Sequence, residues 1–232
     1  IRGNIIDGGY FPQGGMQSLV DAFEECFLGH GGEIKRKSFV TKVMVNACKT
    51  TGIALKDGEV IPSRVVISNV DATFTYNSLL SEARIADSMI RINKMLPSCS
   101  VFIVYLAIST SIKKLLKYNC SAIWNFTGSL YNGLICMFPS VVDPNLSPPD
   151  SDSVVLYYGV PFKDKIYWEK NQYEITSFFI QKFLSIFPDV KKTIAFHHSV
   201  TPIDLFNQTL NRNGAARGWA PTIEQVNSFF PT

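Results

Sequence analysis

Three kinds of residue in this chain could do chemistry: glycines grouped around one helix pattern, three histidines, and a short run of lysines. The stretch GGYFPQGGMQSLVDAFEECFLGHGGEIKRKSFVTKV sets glycine pairs on both sides of a single amphipathic segment. Glycine lets a flat group approach the backbone, and the first amides of a helix carry partial positive charge, so PQGGM suits an electron-rich ring or a phosphate. The same residues also make an ordinary tight strand-to-helix turn. They are not GxGxxG, and no acid completes a nucleotide fingerprint about twenty residues further on. On residue chemistry alone the plain turn is therefore the preferred reading.

The other candidates are weaker. His197 and His198 are neighbours in a strand pattern and point to opposite faces, so they cannot share a metal ion. His30 sits in a glycine turn, and neither HExxH nor a Cys/His cluster is present, so no metal site is expected. No GxSxG elbow is found. Lys113, Lys114 and Lys117 beside Ile112, Leu115 and Leu116 make a basic amphipathic turn, read as a solvated face, with a peripheral membrane contact as the alternative. No catalytic residue is assigned. A chain without reactive side-chain pairs suits an enzyme that delegates the hard step to a cofactor.

The elements that must position these residues follow from periodicity. Asn4 to Phe11 reads as a strand entering the Pro12–Gly15 turn. Met16, Leu19, Val20, Phe23 and Phe27 form a helical stripe with Asp21, Glu24 and Glu25 on the other side, and Gly29, Gly31 and Gly32 end it. Strands are expected from Glu33 to Lys37, Val40 to Asn46, Gly52 to Leu55, Glu59 to Ser63 and Val65 to Ser68, with Asp57-Gly58 as a hairpin turn. A helix is expected over about Asp71–Leu96, then a strand in SCSVFIVYLAIS. Strands in LICMFPSVV and SVVLYYGVP flank the rigid loop DPNLSPPDSDS. A helix over about Asn171–Phe187, a strand in TIAFHHSVTP, and a short helix running into a glycine-bearing loop complete the chain.

Composition bounds the class. The 232 residues carry 22 Lys+Arg against 19 Asp+Glu, a formal charge of +3 with no basic stripe, which argues against nucleic acid. Five cysteines without CxxC spacing fit a reducing, cytoplasmic setting. No apolar run has the length of a membrane span. A hydrophobic share of 46% with 17 Phe and 9 Tyr suits a large apolar cavity as well as a core.

Four segments, in order, resemble the phytoene desaturase, carotenoid isomerase and retinol saturase family of FAD-dependent oxidoreductases. YFPQGGMQSLVDAFEECFLGHGGEIKRKSFVTKV is similar to that family's Tyr-Pro-Gly-Gly turn, helix, Gly-Gly-Glu turn and strand. LKDGEVIPSRVVISNVD is similar to its turn and strand ending in Ser-Asn-Ala-Asp. FPSVVDPNLSPPDSDSV resembles its Asp-Pro loop, with Asp150 where glycine is usual, and SVTPIDLFNQTLNRNGAARGWAPT resembles its Thr-Pro and Gly-Ala-x-x-Gly-Trp segment. The family's amino-terminal Gly-rich βαβ unit and carboxy-terminal closing stretch have no counterpart here, so the resemblance implies an internal portion of a larger enzyme.

The resemblance implies an α/β fold of α+β mixed type, with part of an FAD-binding lobe (13–70 and 206–232). A substrate lobe (1–12 and 71–205) would hold a mixed, largely antiparallel sheet with helices. It implies FAD as cofactor and a long apolar polyene or lipid as substrate. Val40 matches the residue whose backbone meets the adenine end. Gly14 and Gly15 match the turn bordering flavin and substrate, with Tyr10 and Met16 on the substrate side. Gly214, Gly218 and Trp219 match a loop approaching the isoalloxazine. The alternatives are a catalytically silent lipid-binding module derived from such an enzyme, or a flavin amine oxidase relative. The chain by itself is expected to bind FAD weakly and to be inactive.

Overall fold

In a computed structural model, residues 11–80, 86–116, 120–126 and 133–229 are described, and the fold is mixed α/β with antiparallel sheets. Two compact units share the chain: Ile1–Ile34, Phe102–Tyr158 and Lys170–Val200 form the first, and Lys35–Val101, Gly159–Glu169 and Thr201–Thr232 the second. The strand expected over Asn4–Phe11, and Tyr10 with it, lie outside the described residues except for Phe11.

The first unit is built on a five-stranded sheet. Its strands are β4 (Ser100–Ile108), β5 (Ala122–Phe126), β6 (Gly133–Met137), β7 (Asp152–Val160) and β8 (Ile194–Val200), in the order β5-β6-β7-β4-β8. Alternation along β4 buries Phe102, Val104, Leu106 and Ile108, and the same face takes Leu134 and Cys136 from β6 and Val154 and Leu156 from β7. A long helix over Lys165–Ile186 covers that face with Phe179 and Phe183: the Phe102 and Phe179 ring centroids are 5.4 Å apart, and Gln172 Nε2 donates to Ser199 Oγ at 2.9 Å. Burying each such ring stabilises the unit by about 1.5–3 kcal/mol. The helix begins earlier than its apolar stripe suggests because Asp164 caps it, Oδ1 accepting from the Tyr167 amide at 2.8 Å.

The unit also holds α1 (Met16–Gly29), capped by Gly15 with no side-chain cap. The helix is where periodicity puts it, yet no residue of it is buried: Phe23 is 70% exposed, and Met16, Leu19, Val20 and Phe27 are exposed beside it.

The second unit carries a three-stranded antiparallel sheet, β1 (Val40–Asn46), β2 (Lys49–Leu55) and β3 (Val60–Pro62), with the expected turn at Asp57-Gly58. A helical segment over Ala72–Leu79 follows, and then α2 (Ala86–Lys94), which together divide the single helix expected there. With the long helix taken as α3, α4 is Pro202–Thr209 and α5 is Ile223–Phe229. A reciprocal box opens α4: the Thr201 side chain accepts from the Asp204 amide, and the Asp204 carboxylate accepts from the Thr201 amide.

Three strand expectations fail for one reason, that an extended run becomes a strand only where its backbone finds partners. Val65–Ser68 is apolar but unpaired among the described residues, with Ile67 90% exposed. Glu33–Lys37 ends in a turn with Lys37 at φ 57° and enters no sheet. LICMFPSVV is a strand through Met137, and the Phe138 amide still donates to the Ser121 carbonyl at 2.8 Å, but Pro139 has no donor and Pro139–Val142 coils into a helical turn. No helix among the described residues is long and apolar enough to cross a membrane.

Candidate functional site

In each unit, two of the four segments singled out in the sequence meet through one carboxylate. In the first unit the Gly14 amide donates to Asp143 Oδ2 at 2.6 Å, across 129 residues of chain. Asp143 is buried, and its Oδ1 accepts from the Asn145 amide at 3.0 Å and Nδ2 at 3.1 Å. These donors, the Gly14 amide foremost, hold its carboxyl below the usual carboxylate range. Gly14 and Gly15 both take left-handed conformations, at φ 81° and 83°. The Gly15 amide donates to the Pro12 carbonyl at 3.0 Å, and the Ser18 hydroxyl bonds back to Gln13 and Gly15 carbonyls.

Both glycine amides are therefore used within the protein. The turn offers a ligand its shape and not these N–H groups. Met16, the first helical residue, projects beside it with 60% exposure.

In the second unit Asp71, the acid ending SNVD, caps the segment Ala72–Phe74 through the Thr73 and Phe74 amides, and its Oδ2 accepts from the Arg212 amide at 3.2 Å. The Arg212 guanidinium reaches the Asn93 and Met95 carbonyls at 3.1 and 3.2 Å. The loop that follows runs antiparallel to residues 96–99: Ala216 donates to the Cys99 carbonyl, Ser98 to the Gly218 carbonyl, and Trp219 bridges Pro97. Gly214 is buried, its carbonyl accepting from Ser100 Oγ at 2.7 Å. A Cβ there would lie 2.4 Å from the Pro202 carbonyl oxygen, so packing as well as its φ of 56° demands glycine. Gly218 differs. Its φ is 70°, and nothing lies within 4 Å of where a Cβ would be. Val40 opens β1 opposite Leu55, beside a bulge at Thr41.

The five-stranded sheet has a second face that sequence reading did not assemble. Register places Trp124, Ile135 and Tyr157 in one row across β5, β6 and β7. On β4, Ile103 and Tyr105 alternate away from the α3-covered side, and Tyr105 opposes His198 while Ala107 opposes Phe196. Phe196 is 62% exposed, and Trp124 and Tyr105 are also exposed. This face is largely apolar and aromatic, with His198, Ser153 and the Tyr105 and Tyr157 hydroxyls among its polar groups. His197 opposes Leu106 on the other side, so the two histidines do face opposite ways. The alternation in AFHHSV carried this signal; the matching rows on β5 and β7 needed the register.

Taken separately, the second unit leaves open space over the Gly218 backbone and the first presents an apolar sheet face, features compatible with a flat ring and with an apolar ligand, whereas the described residues hold no glycine-rich loop of the kind that cradles a pyrophosphate.

A family model described as flavin containing amine oxidoreductase matches residues 4–200. The phytoene desaturase of Fusarium fujikuroi is 28% identical over 169 residues, covering 67% of this chain and 29% of that protein. The neurosporene-forming phytoene desaturase of Rhodobacter capsulatus is 26% identical over 251 residues, covering 97% and 47%. Among solved structures, an oxidoreductase from Methanosarcina mazei superposes with TM-score 0.59 at 20% identity, over 81% of this chain and 42% of that one, a likeness of fold. The chain spans less than half the length of each of these proteins. The family match runs through the Gly14–Gly15 turn, Val40, the Asp143 loop and all five strands of the larger sheet, and on it the chain belongs to the flavin containing amine oxidoreductase family.

Proposed function

We propose that this chain supplies the substrate-lining portion and part of the flavin-facing portion of an FAD-dependent oxidoreductase that desaturates, saturates or isomerises a long apolar polyene or lipid. The observation that carries the reading is the exposed apolar face of the five-stranded sheet, in a chain similar to proteins named phytoene desaturases. The flavin side is assigned to residues 13–70 and 206–232 and the substrate side to 1–12 and 71–205.

FAD, when bound, would supply two-electron hydride chemistry, as acceptor for a desaturation and, in its reduced form, as donor for a saturation. The chain's own residues orient and exclude. Trp124, Tyr157, Tyr105 and Phe196 present ring faces and edges against which an extended polyene lies flat. Their apolar surface removes water from the reacting carbons. Gly14 and Gly15 with Met16 border the chamber, Val40 meets the adenine end through its backbone, and Gly218 with Trp219 leaves the backbone open to the ring. No acid or base is assigned, since holding the substrate in reach of the ring is the main task left to the protein. The protein is assigned to a reducing compartment, cytoplasmic, with peripheral membrane contact at the exposed Lys113–Lys114 turn.

The test is anaerobic mixing of the FAD-loaded protein that carries this chain with a panel of polyenes, retinoids and amines, followed by chromatography of the products. Flavin bleaching with a polyene and a product altered in double bonds supports the reading. Bleaching by amines alone points to an amine oxidase, and the absence of both a flavin colour change and an altered product, with oxidised and with reduced FAD, points to a silent lipid-binding module. The 232-residue chain alone is expected to take up FAD weakly, because the amides that grip the pyrophosphate are not among its motifs.

A further inference from the structure

We propose that Asp143 is the positioning residue of the Gly14–Gly15 turn, fixing that turn at the flavin and substrate chamber by accepting the Gly14 amide. The inference rests on the flavoenzyme reading above, because it concerns what the turn must do there.

Local sequence alone does not fix this turn. Two consecutive glycines visit left- and right-handed conformations with similar ease, so a glycine pair preceding a helix is a hinge unless something outside it selects one state. The Pro12 carbonyl and the Ser18 hydroxyl brace it from its own neighbourhood. The brace from elsewhere in the chain is the loop at 143–146. Its carboxylate takes the Gly14 amide at 2.6 Å, a short, charge-assisted bond, and its Leu146 side chain packs 3.3 Å from where a Cβ on Gly15 would sit.

The carboxylate is itself held. It is 5% exposed, and Asn145 donates to it from both backbone and side chain, so swinging away gives up both bonds together with the Gly14 bond. Its charge also sits at the amino end of α1, where a negative group is favoured. The result is a rigid α1 entry held by a group 129 residues distant, placed where the turn would otherwise be free to flex.

Reaction rates are steep functions of such placement: a displacement of about 1 Å at the reacting centre costs about a hundredfold. The experiment compares wild type, Asp143→Asn and Asp143→Ala in the FAD-loaded protein that carries this chain. It measures kcat and KM for the polyene found active, FAD content, and hydrogen exchange at the Gly14 amide. Asp143→Ala is expected to speed Gly14 exchange and to lower kcat by about 10–100-fold with KM and FAD content unchanged. Asp143→Asn, which keeps one acceptor oxygen but loses the charge and turns an amide toward the Asn145 donors, is expected to fall between the two, several-fold below wild type in kcat at unchanged KM.

An unchanged kcat in Asp143→Ala despite faster Gly14 exchange overturns the inference, and so does a loss that merely tracks lost FAD or lost folded protein. If Asp143→Ala does not fold, Asp143→Asn decides: a several-fold lower kcat at unchanged KM supports the role, and an unaltered kcat overturns it. A wild type that acts on no polyene overturns the flavoenzyme reading and this inference with it. Polyene turnover indifferent to Asp143 overturns the inference alone.

Discussion

Replacing Gly214 and Gly218 separately by alanine separates two reasons for glycine in one loop. Both residues are left-handed, at φ 56° and 70°, and an alanine held in that conformation costs about 1–2 kcal/mol. For Gly218 that is the whole penalty, because the space around its missing Cβ is open. At Gly214 the new Cβ meets the Pro202 carbonyl oxygen at 2.4 Å and Ser100 Oγ at 3.1 Å. Relieving a backbone clash of that kind costs a further ~1–3 kcal/mol. The shift also endangers the buried Ser100–Gly214 hydrogen bond, worth about 1 kcal/mol. Gly214→Ala should therefore cost about 3–6 kcal/mol, a large share of the ~5–15 kcal/mol that holds a domain together. In a chain of this size that is a fall in Tm of about 6–24 °C, against about 2–8 °C for Gly218→Ala. Thermal melts followed by circular dichroism measure both. Equal losses, or a Gly218 variant worse than the Gly214 variant, would refute the assignment of one glycine to packing and the other to an open surface.

Other expectations follow from individual residues. Ala47 and Cys48 form the two-residue β1–β2 turn with both φ values positive, at 45° and 60°, a geometry that favours Asn-Gly; Ala47→Asn with Cys48→Gly should stabilise the chain by about 1 kcal/mol, read as a higher urea midpoint at the same m-value. Burial pushes the Cys136 thiol up to about 12, so an aromatic disulfide reagent should modify exposed Cys26, Cys48 and Cys99 in the native protein and reach Cys136 only after unfolding. The Asp143 carboxyl, ordinarily near 3.8 and lower in the fold, stabilises the folded state above the ordinary value and loses that contribution as pH falls through its lowered one. An NMR titration of its carboxyl carbon should give a midpoint below 3.8, and a midpoint at or above it would contradict the Gly14 bond. Phe196→Asp, on an exposed position of an edge strand, should leave the fold intact and abolish polyene binding, measured by quenching of tryptophan fluorescence.

Much of the fold was legible because local signals and tertiary partners agreed. The alternation in SVFIVYLAI reads as a strand and is one, with Phe102, Val104 and Leu106 inward. Asp57-Gly58 reads as a turn and makes one. Where they disagreed, pattern misled: Val65-Val66-Ile67 has strand composition but no strand among the described residues to pair with. The glycine-rich turn was visible as a place of interest, but its chemistry was not, because Asp143 lies 129 residues away and nothing in PQGGM announces an acceptor. Asp71 and Arg212 were likewise distant partners, joined through a backbone amide that no side-chain pattern encodes. The aromatic sheet face was divided among four strands, and only their register brought Trp124, Tyr157, Tyr105 and Phe196 to one side.

Photoaffinity labelling with a polyene carrying a photoreactive group, with adducts located by mass spectrometry, tests the central claim most directly. The account predicts adducts on the outer sheet face, at Tyr105, Phe196 and Trp124, which excess unlabelled polyene displaces. Labelling confined to the exposed apolar stripe of α1, at Phe23 and Val20, with the sheet face untouched, would contradict it.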